Sequence, residues 1–157
     1  MTARSDSDHA DFALELFSRG YNCSQSICAT FGPELGLARD TCLSVAAAFG
    51  AGMGREGEVC GAVTGALMIL GLEHWNGEAE LPDAKEEIYA RVQNFLSTFR
   101  AAHGTLLCRD LLGQDLRTEA QIQAGKDKGL HQKVCAPLVA EVARLISSAR
   151  RPTQRTG

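Results

Sequence analysis

Apolar residues recur every third or fourth position through most of this chain, and no stretch sustains the two-residue alternation of a strand. The pattern predicts an all-α protein: a single domain over residues 1–157, an irregular bundle of six to eight helices with short connections. Phe12 with Leu16, and Ala13 with Phe17, give a first helix over Ser7–Ser18, with Gly20 placed to end it. Asn22 is a suitable N-cap for a second, Cys23–Phe31, stopped by Gly32-Pro33. Asp40 is read as the cap of a third, Thr41–Phe49.

The segment Gly50–Gly57 holds four glycines in eight residues and reads as a tight loop, because glycine is costly inside a helix. A fourth helix is expected from Glu58 to Leu72. Its Gly61 and Gly65 share one face with Ala62 and Ala66, small enough to let another backbone come close, which marks a central buried helix. Residues 76–81 read as a loop. Pro82 suits the first turn of a long helix reaching Ala102, striped by Ile88, Val92, Phe95, Leu96 and Phe99. Thr105 is expected to cap a short segment, Leu106–Leu112. Thr118–Lys128 is polar and weakly helical. A last helix, His131–Ala149, carries Val134, Leu138, Val142 and Leu145 on one face.

Composition narrows the function classes. Hydrophobic residues make up 45% and charged residues 22%, an ordinary globular balance. A net charge of −3 argues against a nucleic-acid partner, which calls for a basic face. The one basic cluster, Arg150, Arg151 and Arg155, reads as a flexible, solvated tail over 150–157. The longest apolar run, Val59–Leu72, has 14 residues and is too short for a membrane span, and no secretory signal opens the chain. The expectation is a cytoplasmic protein with no membrane partner. In that compartment structural disulfides are rare, so six cysteines need another explanation.

No CxxC pair occurs among Cys23, Cys28, Cys42, Cys60, Cys108 and Cys135, which removes the thioredoxin-type and zinc-ribbon patterns. Any shared site must be built by tertiary folding. Four of the cysteines sit near helix starts: Cys23 after Asn22, Cys60 after the glycine loop, Cys108 after Thr105, and Cys135 near the start of the last helix, two residues before Pro137. Helix starts offer unpaired N–H groups and partial positive charge, which favour thiolate over thiol. Cys28 lies about 140° round its helix from Cys23, so the two face different ways. Cys28 and Cys42 are read as buried packing residues.

Other candidates are weaker. Gly52-Met-Gly-Arg-Glu-Gly57 matches G-x-G-x-x-G by letter but follows a helix, with no βαβ unit, so it is not read as a dinucleotide site. Its glycines Gly52, Gly54 and Gly57, with Gly61, are instead expected to bring backbone N–H groups close to Cys60 and a bound group there. Arg55 is the charge placed to stabilise a thiolate. His131 and Cys135 are four apart and could form a metal pair, although His131 reads first as a polar cap. His103 reads as solvated, His74 as surface or cleft, and Glu56 and Glu58 as solvent charges. No Ser-His-Asp order is present.

Taken together, Gly20-Tyr-Asn-Cys23-Ser-Gln-Ser, Gly52–Ala66, Cys108-Arg-Asp-Leu-Leu-Gly113 and Lys133-Val-Cys135-Ala-Pro resemble the C-GCAxxG-C-C family of redox-active proteins, over about residues 11–145. The central motif reads Cys60-Gly-Ala-Val-Thr-Gly65, with its cysteine ahead of the glycine. The resemblance implies that Cys23, Cys60, Cys108 and Cys135 are the family's characteristic cysteines. Four thiolates would satisfy an iron–sulfur cluster, most simply 2Fe–2S, serving electron transfer or redox sensing with a redox partner protein that the sequence does not identify. The alternatives are metal-free dithiol chemistry, with Cys60 as low-pKa attacker and Cys23 or Cys108 resolving; a structural zinc or helical interaction module without turnover; and an enzyme using the glycine loop as an anion cradle. The small-residue helix could also pack against a copy of itself, leaving a homodimer open.

Overall fold

Side-chain caps set where several of the helices begin. In the structure, a computed structural model that describes residues 4–75, 77 and 81–150, Ser5 and Asp8 form a reciprocal capping box at the start of α1 (Asp6–Ser18). Asn22 and Gln25 do the same for α2 (Cys23–Phe31), with Gln25 N–H donating to Asn22 Oδ1 at 2.9 Å and Asn22 N–H to Gln25 Oε1 at 3.1 Å. Then follow α3 (Arg39–Ala46), α4 (Gly61–His74), α5 (Leu81–His103), α6 (Cys108–Leu112), α7 (Glu119–Asp127) and α8 (Ala136–Ala149). The architecture is all-α, with eight right-handed helices among the described residues. An isolated antiparallel bridge, Val59 with Leu107, is the nearest approach to a sheet there.

α4 is the central helix. It is apolar on every side, and Gly61 through Ala66 are all buried. Its glycine face is taken up within the chain by α2: a Cβ added at Gly61 would come within 3.1 Å of Cys23 Cβ, and one at Gly65 within 2.9 Å of Ile27 Cβ. α1 lies along α8, and α5 packs on α4. Leu16, Ile27, Phe31, Val63, Ile69, Phe99, Val139, Val142 and Ile146 are fully enclosed between these layers. Each such side chain contributes about 1.5–3 kcal/mol by leaving water. No helix among the described residues is long and apolar enough to cross a membrane.

Several boundaries differ from the sequence pattern. α3 starts at Arg39 with Asp40 inside its first turn, and it tightens into a 3-10 turn over Ala47–Phe49. α4 starts at Gly61, three residues later than expected, because Glu58–Cys60 run extended to pair with the segment around Leu107. Thr105 is two residues before the α6 cap, Leu107; its hydroxyl accepts from Leu107 N–H at 3.1 Å. The last helix is broken at its start by a π-turn, His131–Cys135. Pro137 follows in the first turn of α8 and has no N–H to give to Lys133, which is consistent with a widened turn there.

Some surface readings also change. Arg150 is pinned rather than frayed: its Nε donates to Glu73 at 2.9 Å and its Nη1 to Glu34 at 3.1 Å. The rest of the expected tail, 151–157, and most of the expected loop over 76–81 lie outside the described residues. His103 is held, with its Nε2 3.0 Å from Glu141 Oε1 and its ring against Phe99.

Candidate functional site

The four cysteines named from the sequence are carried to one place by four separate devices. Cys23 is the first residue of α2, and its start is tied sideways to the neighbouring elements: Asn22 Nδ2 donates to Ala47 O at 2.9 Å and Gln25 Nε2 to Leu43 O at 3.0 Å. Cys60 is the N-cap of α4, and Cys108 is the first residue of α6. A short antiparallel pairing locks these two together: Cys60 N–H donates to Leu106 O at 2.8 Å, and Cys108 N–H to Glu58 O at 2.7 Å. Cys135 closes the π-turn before α8. Widened turns of this kind recur at functional sites because they re-aim one side chain out of the regular ladder.

The glycine loop is the floor. Residues 51–55 all hold positive φ, from 54° to 73°, and form one left-handed turn closed by Gly54 N–H to Gly50 O at 2.8 Å. Three of these residues carry side chains, Ala51, Met53 and Arg55, and each is held in a conformation that costs about 1–2 kcal/mol. Such strain concentrates at functional sites. Glycine is required at position 52, where φ is 67° and an added Cβ would come within 2.7 Å of both Cys108 Cβ and Glu58 N. Gly61 lies in the same way against Cys23. Gly57 lies over Arg109, and Gly54 meets Ala48 O at 3.7 Å. The loop's closest approaches are from Gly50 to Asn22 and from Gly52 to Cys108 and Glu58, while the N–H groups that favour ionisation of Cys60 are those of Ala62 and Val63.

All four cysteines line one cavity of about 380 Å³, together with Gly50, Ala51, Gly54, Arg55 and Gly61 of the loop and α4 start, and Leu111, Leu112, Leu116, His131 and Leu138. Cys60 and Cys108 are buried, while Cys23 and Cys135 are half-buried. Cys28 and Cys42 do not line it. They meet each other in the core between α2 and α3, a contact the sequence reading did not foresee. His131 stacks on Phe17 with ring centroids 4.4 Å apart, and burial pushes its pKa down. Glu56 and Glu58 are exposed and paired to Arg117 and Arg109.

The thiols are electrostatically unequal. Cys135 is pushed below the ordinary thiol range because Cys23 donates a hydrogen bond to its sulfur, which favours thiolate there. Cys23, the donor, is pushed well up by that same bond, by burial, and by the neighbouring sulfurs of Cys60, Cys135 and Cys108. Cys60, expected to be the low-pKa thiol, is pushed up by burial, although the N–H groups of Ala62 and Val63 oppose this. Burial, then Cys60 and Cys135, push Cys108 up to about 12. Of the four, Cys135 is the thiol whose ionisation is favoured.

Four cysteines are chemically a complete iron–sulfur ligand set. Among the described residues, however, no three Cys, His, Asp or Glu side chains converge closely enough to hold one metal ion. A family model described as "Putative redox-active protein (C_GCAxxG_C_C)" matches residues 21–149. No curated protein and no solved structure matches the chain.

Proposed function

The chain belongs to the C_GCAxxG_C_C family of redox-active proteins, and we propose that its redox chemistry is dithiol–disulfide exchange centred on Cys135 and Cys23. What supports this reading is that Cys23 and Cys135 line one cavity, with the Cys135 thiol pushed down and the Cys23 thiol pushed up by each other's presence. A half-buried thiolate facing a cavity is a competent nucleophile. Cys135 attacks one sulfur of an incoming disulfide, whose S–S bond breaks, and the first half leaves as a thiol. Cys23 then attacks the mixed disulfide, forming a Cys23–Cys135 bond and releasing the second half. The protein gives up two electrons and two protons in total, and the disulfide becomes two thiols. Cys60 and Cys108 line the same cavity.

The test is to mix fully reduced protein with a small disulfide, then map the product by mass spectrometry. Wild type is expected to release two small thiols per chain and to yield a Cys23–Cys135 bridge. Cys23→Ser is expected to stop at a mixed disulfide on Cys135. A bridge confined to other cysteines would overturn the assignment.

A second reading keeps the iron–sulfur cluster, because all four thiols line one cavity. Cys23, Cys60, Cys108 and Cys135 would hold the cluster, which supplies one-electron transfer when bound. It requires the sulfurs to draw closer than they stand here. Iron and acid-labile sulfide in anaerobically purified protein would select this reading over exchange; thiol chemistry with neither would select exchange.

A further inference from the structure

Cys135 opens on two adjoining cavities. Beside the four-cysteine cavity lies a second chamber of about 330 Å³, and Ala51, Arg55, Leu112, Leu116 and His131 are common to both. Each volume lies at the lower end of the range for small-molecule sites, about 300–1,000 Å³. The second chamber is apolar where Ile122 and Leu130 line it, and cationic where Arg55 and Lys126 do. No carboxylate lines either chamber. Of the acidic residues adjacent in sequence to the lining, Glu56 pairs with Arg117 at 2.8 Å, Asp127 accepts from the Gln123 amide at 2.8 Å, Asp110 accepts from the Thr105 hydroxyl at 3.1 Å, and Asp115 has its carboxylate beside Gly57. Burial pushes the His131 pKa down, which disfavours charge on this ring. No lining carboxylate cancels the positive sign of Arg55 and Lys126.

The left-handed turn fixes where Arg55 stands: it holds φ of 73° at the end of a run in which Ala51 and Met53 also carry side chains at positive φ, and it lines both chambers.

We propose that the two chambers bind a small anionic disulfide, an organic disulfide bearing carboxylate. Its carboxylate sits against Arg55 and Lys126, its apolar part against Ile122 and Leu130, and its sulfurs at Cys135. This names the substrate class of the exchange reading above and rests on it. One substrate S–S bond breaks, one Cys23–Cys135 bond forms, and two small thiols leave with the two electrons and two protons.

The experiment compares alkylation of Cys135 in reduced full-length protein by iodoacetate, an anion, and iodoacetamide, its neutral analogue, read by peptide mass spectrometry. Relative to a free thiol, wild type is expected to favour iodoacetate by about tenfold, the low end of what a like-signed cleft does for an opposite charge. Arg55→Gln and Lys126→Gln should each lower that ratio several-fold, and high salt should lower it in wild type without any substitution. Arg55→Gly should lower the ratio while raising thermal stability, a combination that a merely structural arginine would not give. Equal rates for the two reagents, insensitive to salt and to both glutamine variants, would overturn the proposal. Exchange with carboxylate-bearing and neutral disulfides is then measured side by side, and a preference for the carboxylate-bearing one supports the proposal. Loss of all exchange with the iodoacetate preference intact would sink the dithiol reading alone and leave the anion site standing.

Discussion

Cys23 and Cys28 stand five residues apart on the same helix, yet they belong to two different thiol assemblies. Cys23 lies at the helix start, half-buried, facing a cavity it shares with Cys60, Cys108 and Cys135. Cys28 lies toward the other end of the helix, 1% exposed, against Cys42, which is fully buried on α3. Burial first, then the nearby Cys42, push the Cys28 thiol up to about 12. Cys42 leans toward Leu37 O at 3.8 Å and fills the space that Gly32 leaves by having no side chain. Residue type is identical in the two regions. What separates the two is the position along the helix, the company of three other cysteines at one cavity, and a partner that favours ionisation of one sulfur.

The largest expected effect breaks the comparison at its chemistry. Cys135→Ser and Cys23→Ser should each cut two-electron oxidation by a small disulfide by about 100-fold or more, since neither sulfur substitutes for the other's role. Cys28→Ala and Cys42→Ala should leave the rate within about twofold, because neither lines the cavity. Stopped-flow thiol release measures all four. Parity between the two sets would dissolve the distinction.

Glycine substitutions come next and read packing. At Gly52 an added methyl would meet Glu58 N and O at 2.7 and 2.8 Å, on a backbone with φ of 67°. Backbone cannot swing aside, so Gly52→Ala should cost about 3 kcal/mol or more in urea unfolding. Gly32→Ala meets only the Cys42 sulfur at close range, on an ordinary backbone. It should cost about 1–3 kcal/mol, and adding Cys42→Ala should recover part of that loss by removing the obstructing atom. Failure of the rescue would mean that the core pair is not packed as described.

How far the sequence announced this arrangement differs between the two regions. Capping and periodicity were legible: Asn22 places Cys23, and the small residues of Gly61–Ala66 mark the central helix. The four cavity cysteines could be singled out because each sits near a helix start and matches the family's motifs. Their inequality could not, because the pKa order depends on a Cys23–Cys135 contact between segments more than a hundred residues apart. The left-handed turn was hidden too. Ala51, Met53 and Arg55 carry side chains in conformations that propensity argues against, so the fold overrides the local preference. The Cys28–Cys42 contact had no local signal, since it is set by how α2 lies on α3.

Acidity distinguishes the same regions under milder perturbation. Cys135 is lowered and the other cavity thiols are raised, so its alkylation should begin at lower pH than that of a free thiol, and ahead of its neighbours. Peptide-resolved rates between pH 5 and about 9 would show it; simultaneous onset at all four would contradict it. For Cys28 the consequence is stability. Its pKa rises from 9.0 to about 12 on folding, so the unfolded chain loses its proton first. Stability from this group is complete below the lower value and falls as pH climbs toward the upper one. Cys28→Ala should therefore flatten part of the alkaline decline, while leaving the alkylation onset of Cys135 where it was.

The smallest expected effect concerns the outer wall of the cavity. Glu58 and Arg109 face each other across the short pairing that holds Cys60 and Cys108, 3.3 Å apart and with side chains 48% and 41% exposed. A pair this open is solvated and screened, so a double-mutant cycle over Glu58→Ala and Arg109→Ala should return a coupling of about 0.5 kcal/mol or less. The backbone bonds from Cys60 N–H to Leu106 O and from Cys108 N–H to Glu58 O do not involve either charge. If they are what positions the thiols, both single variants should keep wild-type exchange rates. A coupling well above 1 kcal/mol, or a fall in rate with Arg109→Ala, would move the cavity's support from the main chain to its surface charges, and its geometry would then depend on salt in a way that the buried Cys28–Cys42 pair does not.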